Sequence, residues 1–75
     1  MKRIKGLSYS QIHQYLFNKR ANFKSDCEFF PNFDVSGKVI QITNLGSEIL
    51  IVVLTSNQKR IKIGSNMKNL RFKLL

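Results

Sequence analysis

The C-terminal half of the chain is a series of short β-type runs separated by turn signals, and this pattern limits the fold more than any other feature. "SGKVIQITN" is rich in β-branched residues and ends at the turn signal "NLGSE". "EILIVVL" is apolar on both parities, as in a central strand. "KRIKI" and "LRFKLL" alternate basic and apolar residues, so each has a basic and an apolar face. Regular spacing predicts a β meander over residues 35–75 that closes into a small barrel.

A helix is predicted over residues 7–20, ahead of the strands. Ser8 suits the N-cap position, and Gln11, three residues further on, completes a capping box. Ile12 and Leu16 recur at helical spacing and form an apolar stripe. The basic pair at the end of "LFNKR" suits the negative end of a helix dipole. The helix is short, so we expect it to depend on packing against the strands.

Residues 24–34 are predicted to be a linker between the helix and the strands. Pro31 favours an extended or turn conformation there, and we expect Phe29, Phe30 and Phe33 to plug one end of the core. A chain of 75 residues fits one domain. The predicted fold class is mainly β with one N-terminal helix, a small five-stranded-type β-barrel, with an OB-fold favoured over an SH3-like barrel.

The charge balance is strongly basic. Thirteen Lys and Arg residues face four Asp and Glu residues, which gives a net charge of +9 and a pI near 10.2. No acid occurs in residues 54–75. A pI above about 9 is typical of a domain that binds nucleic acid. The alternative is that Lys only solvates the surface, in a chain whose many Lys, Asn and Ile residues indicate an AT-rich genome.

Residues for catalysis or metal binding are sparse. His13 is the only His and has no Cys or acid at metal-ligand spacing. Cys27 is the only Cys, which excludes an internal disulfide and favours a reducing compartment. No apolar run approaches the roughly 20 residues of a membrane span. We therefore expect no enzyme, metal, cofactor or membrane, and a protein of the cytoplasm or an organellar matrix.

The basic strand faces are the strongest functional signal. We expect the two basic strands to be neighbours in the sheet, so that their cations form one patch that binds phosphates. The predicted nucleic-acid-binding residues are Lys59, Arg60, Lys62, Asn66, Lys68, Arg71 and Lys73. Few aromatic residues accompany them, which favours structured RNA bound through its backbone. Charge alone leaves a DNA-binding barrel as an alternative.

Residues 37–75 resemble bacterial and organellar translation initiation factor one, a small OB-fold family. The family motifs Gly-x-Val, Ile-Ser-Gly-Lys-Met-Arg and Ile-Arg-Ile-Leu correspond in order to "GKV", "IGSNMK" and "FKLL". Asn66 stands where the family has Lys, and the chain stops before the family's fifth strand. We expect "MKRIK" to supply that missing edge strand, with Ile4 pointing inward. The resemblance implies binding to RNA of the small ribosomal subunit near the decoding site.

A protein-interaction module is the other class of function that the sequence allows. The chain would then be a phage or mobile-element factor that docks on a larger enzyme or an RNA–protein complex. The helix carries two Tyr residues, and Tyr is enriched at interfaces. The predicted contacts on this hypothesis are Tyr9, Tyr15 and Leu16.

Overall fold

The computed structural model describes residues 1–27 and 32–75. Within these ranges the chain forms one helix and six strands: β1 (Lys2–Arg3), α1 (Tyr9–Leu16), β2 (Arg20–Ser25), β3 (Phe33–Asn44), β4 (Ile49–Leu54), β5 (Arg60–Gly64) and β6 (Arg71–Leu74). The strands make one antiparallel sheet in the order β1-β6-β2-β3-β4-β5. The prediction of a mainly β fold with an N-terminal helix is confirmed.

The sheet is not closed into a barrel, so the predicted closure is wrong. β1 and β5 are the two edges and do not pair with each other. β1 contributes only two residues, so it offers little backbone for hydrogen bonding to the other edge strand. The prediction that "MKRIK" supplies an edge strand is confirmed, because Lys2 lies opposite Phe72 and Ile4 is 1% exposed.

The helix begins where the sequence predicts and ends earlier. The Ser8 hydroxyl accepts a hydrogen bond from the Gln11 backbone N–H, and the Gln11 side chain accepts one from the Ser8 N–H, which confirms the capping box. The prediction that α1 runs to residue 20 is wrong. Asn18 adopts a left-handed conformation with φ of 64°, which turns the chain, and Arg20 already begins β2.

The predicted linker over residues 24–34 overlaps a strand at each end and connects β2 to β3, not the helix to the strands. β2 ends at Ser25 and β3 begins at Phe33, so only the middle of that range connects them. β2 pairs with β3 on one side and with β6 on the other, and is a central strand of the sheet. Phe33 packs half-buried against the core, as expected. Phe29 and Phe30 lie outside the described residues.

One face of the sheet, which we call the inner face, packs against α1 and forms the core. Its buried strand residues are Ala21, Phe23, Val39, Ile42, Ile51, Val53, Ile63 and Phe72, and Ile12 and Leu16 of α1 pack on them. The alternation predicted for β5 and β6 is confirmed in that Ile63 and Phe72 are buried. Leu74 keeps the inner parity opposite Ala21, in line with the predicted alternation, but is 48% exposed.

At Gly37, β3 passes close against β4. A Cβ atom at this position would collide with the backbone carbonyl oxygen of Leu54 and lie 2.8 Å from Val53 Cγ1. The ladder between the two strands also shifts register between Val39 and Gln41, as a β-bulge does. The chain therefore bends sharply in this part of β3, and only glycine fits the tightest point.

Candidate nucleic-acid interface

The strand register shows which residues lie on the other face of the sheet, which we call the outer face. Residues directly opposite each other on neighbouring strands share a face, and every second residue of a strand returns to it. Four rows result: Arg3, Arg71, Lys24 and Asp34; Lys73, Asn22 and Ser36; Arg20, Lys38, Leu54 and Arg60; and Gln41, Val52 and Lys62. Each row crosses three or four strands, so residues from distant parts of the chain become neighbours.

The outer face carries eight cations, and the described acids lie only at its two ends. The cations are Arg3, Arg20, Lys24, Lys38, Arg60, Lys62, Arg71 and Lys73. Asp26 and Asp34 lie at one end, beside Arg71 and Lys24. At the other end the Glu48 carboxylate lies over Gly64, 2.8 Å from where a Cβ of that glycine would be. The middle rows contain no acid.

We call Lys24, Asp26, Asp34 and Arg71 the acidic end. Arg71 Nη1 lies 3.3 Å from Asp26 Oδ1, and Lys24 Nζ lies 4.0 Å from Asp34 Oδ2. Asn69 donates a 2.7 Å hydrogen bond to Asp26, and this bond, with the Arg71 guanidinium as a further cause, holds the pKa of that carboxyl below its ordinary value. Each of the two cations of the acidic end thus has a carboxylate of the protein within 4.0 Å.

Asn22 separates the acidic end from the middle of the outer face. Its amide donates hydrogen bonds of 2.6 Å to Asp34 Oδ1 and 2.8 Å to Ser36 Oγ. Its own oxygen is buried and accepts no hydrogen bond from the described residues. Asn22 lies opposite Lys73 on β6. The Asp34 carboxylate contacts Asn22 and Lys24, and among the described residues it forms no ion pair with Lys73.

We call the remaining cations of the middle rows the basic centre: Arg20, Lys38, Arg60, Lys62 and Lys73, all of them exposed. Among residues 1–27 and 32–75, the ion pairs are those of the acidic end, and none involves the basic centre. Arg20 and Lys38 lie directly opposite each other. Like charges in that arrangement destabilise a sheet, so this pair lowers the stability of the fold.

The structure brings together part of the predicted site. Arg60 and Lys62 of β5 share the outer face with Arg71 and Lys73 of β6. The expectation that β5 and β6 are neighbours is wrong, because β2, β3 and β4 lie between them. The patch is therefore wider than predicted and is completed by cations from β2 and β3.

The loop between β5 and β6 meets the outer face at its acidic end, where Asn69 bonds to Asp26 and the Lys68 carbonyl accepts a hydrogen bond from the Asp26 N–H. Asn66 Nδ2 donates a 3.2 Å hydrogen bond to the Ser47 carbonyl, so its amide nitrogen is engaged within the protein. Lys68 is exposed in a groove that Lys5 also lines, and no cation of the basic centre lines that groove. Lys59 ends the turn before β5, next to Arg60. Asn66 and Lys68 are thus not beside the basic centre, contrary to the expectation.

The three helix residues predicted to contact a protein partner are mostly turned inward. Leu16 has no exposed surface and belongs to the core, so its prediction as a contact residue is wrong. Tyr9 is half-buried and its hydroxyl donates a 3.3 Å hydrogen bond to the Ile42 carbonyl. Tyr15 is half-buried too, with Lys2 Nζ 4.3 Å from its ring centroid. Tyr15 lines an open groove together with Met1, Lys2, Phe72, Lys73 and Leu74, and Tyr9 lines a second one with Ser10, His13 and Gln14.

Sequence reasoning missed four cations of the outer face: Arg3, Arg20, Lys24 and Lys38. The segment "RANFKS" alternates polar and apolar residues, which is the signal of a strand. That signal was available, and it places Arg20, Asn22 and Lys24 on one face. Their association with β5 and β6 depends on the strand order, which no local pattern contains.

Other kinds of site are not indicated by the described part of the chain. Within it, no group of three or more His, Cys, Asp and Glu side chains is placed to hold a metal ion. No helix in residues 1–27 and 32–75 has the length and apolar character needed to cross a membrane. Comparisons with protein-family models, curated proteins and solved structures find no match to the chain, so the likeness to translation initiation factor one stays a prediction.

Proposed function

We propose that this protein binds RNA, chiefly through the phosphate backbone, with the basic centre as the main contact surface. The observation that carries the proposal is a set of five exposed cations on one sheet face with no described acid within 4.0 Å. Neighbouring strands lie about 4.8 Å apart, so the row from Arg20 to Arg60 extends roughly 15 Å. A surface of this length can contact several phosphates at once.

The repulsion between Arg20 and Lys38 supports the same function. The pair costs stability in the free protein, and a phosphate placed between the two cations would turn that cost into binding free energy. An overall charge of +9 adds long-range attraction for any polyanion. Both effects act on backbone charge and not on base sequence.

The proposal also covers the fold type, the RNA target and the cellular location. Of the two barrel types predicted, we favour the SH3-like one as the relative of this open sheet. Its support is that β2 to β5 are neighbours in chain order and β6 returns beside β2, whereas the OB-fold is a Greek-key barrel. Translation initiation factor one is an OB-fold family, so with this topology its motifs in the chain reflect shared β-strand patterning, and the proposed target is structured RNA in general, with RNA of the small ribosomal subunit as one candidate. We propose the cytoplasm as the location, because the single Cys favours a reducing compartment.

A salt series with a structured RNA tests backbone binding. Five phosphate contacts predict that log Kobs falls against log[salt] with a slope of about −3.5 to −4.5. Lys38→Gln should reduce that slope by about 1, and Lys5→Gln, outside the outer face, should change it less. A slope near zero, or no binding at about 50 mM salt, would contradict the proposal. Competition by matched DNA and by small ribosomal subunits identifies the target.

A protein partner is the second candidate, favoured by the groove that Tyr15 lines. Met1 and Leu74, at 54% and 48% exposure, leave apolar surface open in it. Tyr15→Ala should then abolish a protein interaction that survives nuclease treatment, with the fold retained. Tyr9→Phe, which removes a hydroxyl outside the groove, is the matched control. If nuclease treatment abolishes every interaction of the protein, a direct protein partner is ruled out and RNA is the partner.

A further inference from the structure

A row of three aromatic rings runs along α1 and into the turn that follows it. Tyr9, His13 and Phe17 are four residues apart and so lie on one side of the helix. The Tyr9 and His13 rings meet edge to face with centroids 5.9 Å apart, and His13 and Phe17 stack with centroids 4.6 Å apart and planes 13° apart. Phe17 is 42% exposed, so a large part of its ring is unused by the core.

The turn after α1 connects this aromatic row to the basic centre. Asn18 donates a hydrogen bond to the Val39 carbonyl, and the Lys19 carbonyl accepts one from the Val39 N–H, each 2.9 Å long. Two residues thus oppose one, as in a β-bulge. The next pair is Arg20 and Lys38. Phe17 therefore lies three residues before Arg20, at the end of β2 where the Arg20–Lys38 pair of the basic centre is located.

We infer that Phe17 is a stacking platform for an unpaired base of the RNA strand whose phosphates lie on the basic centre. The inference rests on the proposed function and narrows its ligand to RNA with a single-stranded segment. Proteins that bind single strands combine a cationic surface with exposed aromatic rings. Phe17 meets that requirement because its ring stacks on His13 while the residue stays 42% exposed.

Three substitutions of Phe17 test the platform. Phe17→Leu keeps an apolar side chain but removes the ring, and should weaken binding of a single-stranded RNA about five-fold or more. The same variant should change binding of a blunt RNA duplex much less, because a duplex offers no free base. Phe17→Trp should retain affinity, and its indole, the only one in the chain, should lose fluorescence when a base stacks on it. Phe17→Tyr should bind as the unaltered protein does.

Leu45→Ala is the matched control, since Leu45 is 53% exposed and lies in the turn between β3 and β4. It should leave binding of both RNAs unchanged. If Phe17→Leu binds the single strand as the unaltered protein does, or weakens both RNAs equally, the platform is refuted. Basic-centre variants that still weaken RNA binding would leave the proposed function standing in that case. A DNA strand of the same sequence shows whether the stacked base must belong to RNA.

Discussion

The inner and outer faces of the sheet are built from the same strands under opposite constraints. On the inner face of β2 to β5 most residues are apolar and buried or half-buried, with Phe23, Val39 and Ile51 entirely covered. On the outer face the intervening positions place Arg20 directly against Lys38. The inner face increases stability at each position, whereas the outer face contains an arrangement that lowers it. This difference indicates that the outer face is shaped by something other than folding.

The strongest test of the inner face is Gly37→Ala. The added methyl group would collide with the Leu54 carbonyl, and backbone cannot move aside as a flexible side chain can. We expect the free energy of unfolding to fall by about 3 kcal/mol, at the upper end of overpacking effects, as measured by urea denaturation. Gly64→Ala is the control, because its methyl group would meet only the movable end of Glu48. Similar losses in the two variants would refute the close approach at Gly37.

The strongest test of the outer face compares its middle with its acidic end. Arg20→Glu combined with Lys38→Glu should weaken RNA binding by about 100-fold, from the loss of two charge-assisted contacts of about 1.5 kcal/mol each. Lys24→Glu combined with Arg71→Glu changes the net charge equally, but those cations already pair with Asp34 and Asp26. We expect that variant to bind several-fold better than the first.

Equal losses in these two double variants would mean that only net charge matters. In that case the basic centre would not be a site, and binding would be a property of the whole +9 chain. Circular dichroism of both variants is the check on folding, and the comparison holds only between variants of equal secondary structure content.

The inner face was largely predictable from the sequence, because a strand buried on one face has apolar residues at every second position. The runs over residues 35–75 alternate or are wholly apolar, and all four strands found there were expected. β2 was missed because "NKR" also suits a helix end and Asn18 turns the chain without a Gly or Pro to signal it. Closure was over-predicted because local patterns carry no information on whether two edges meet.

The outer face was predictable only in fragments. Arg60 and Lys62 were found together since they are two residues apart on one strand, and so were Arg71 and Lys73. Joining the two pairs required the strand order, and Arg20 and Lys38 entered the site only through their register. The acids that pair with Arg71 and Lys24 were not predicted either, because each pairing depends on which strands lie side by side in the sheet.

Replacing Lys38 by Glu separates stability from binding. The substitution turns a like-charge pair with Arg20 into an opposite-charge pair across the strands. We expect the free energy of unfolding to rise by about 0.2–1 kcal/mol while RNA affinity falls. Lys5→Glu, which changes net charge equally in another groove, controls for the overall reduction of repulsion. A stability gain no larger than that of the control would show that Arg20 and Lys38 do not repel each other.

The smallest expected effect concerns Asp26, whose carboxylate distinguishes the acidic end from the basic centre. Its pKa is lowered in the folded protein, chiefly by the Asn69 hydrogen bond, so the ionised form is favoured by folding. The resulting stability is present above the unfolded-state pKa of about 3.9 and is lost as pH falls through the folded-state value. Asp26→Asn should therefore be slightly less stable at about pH 7 and equal to the unaltered protein at the acid limit. Urea midpoints across this range measure the difference, with Glu48→Gln as a charge-matched control. A difference that persists at the lowest pH would have to come from packing, and Asp26 would then not be holding Arg71 by its charge.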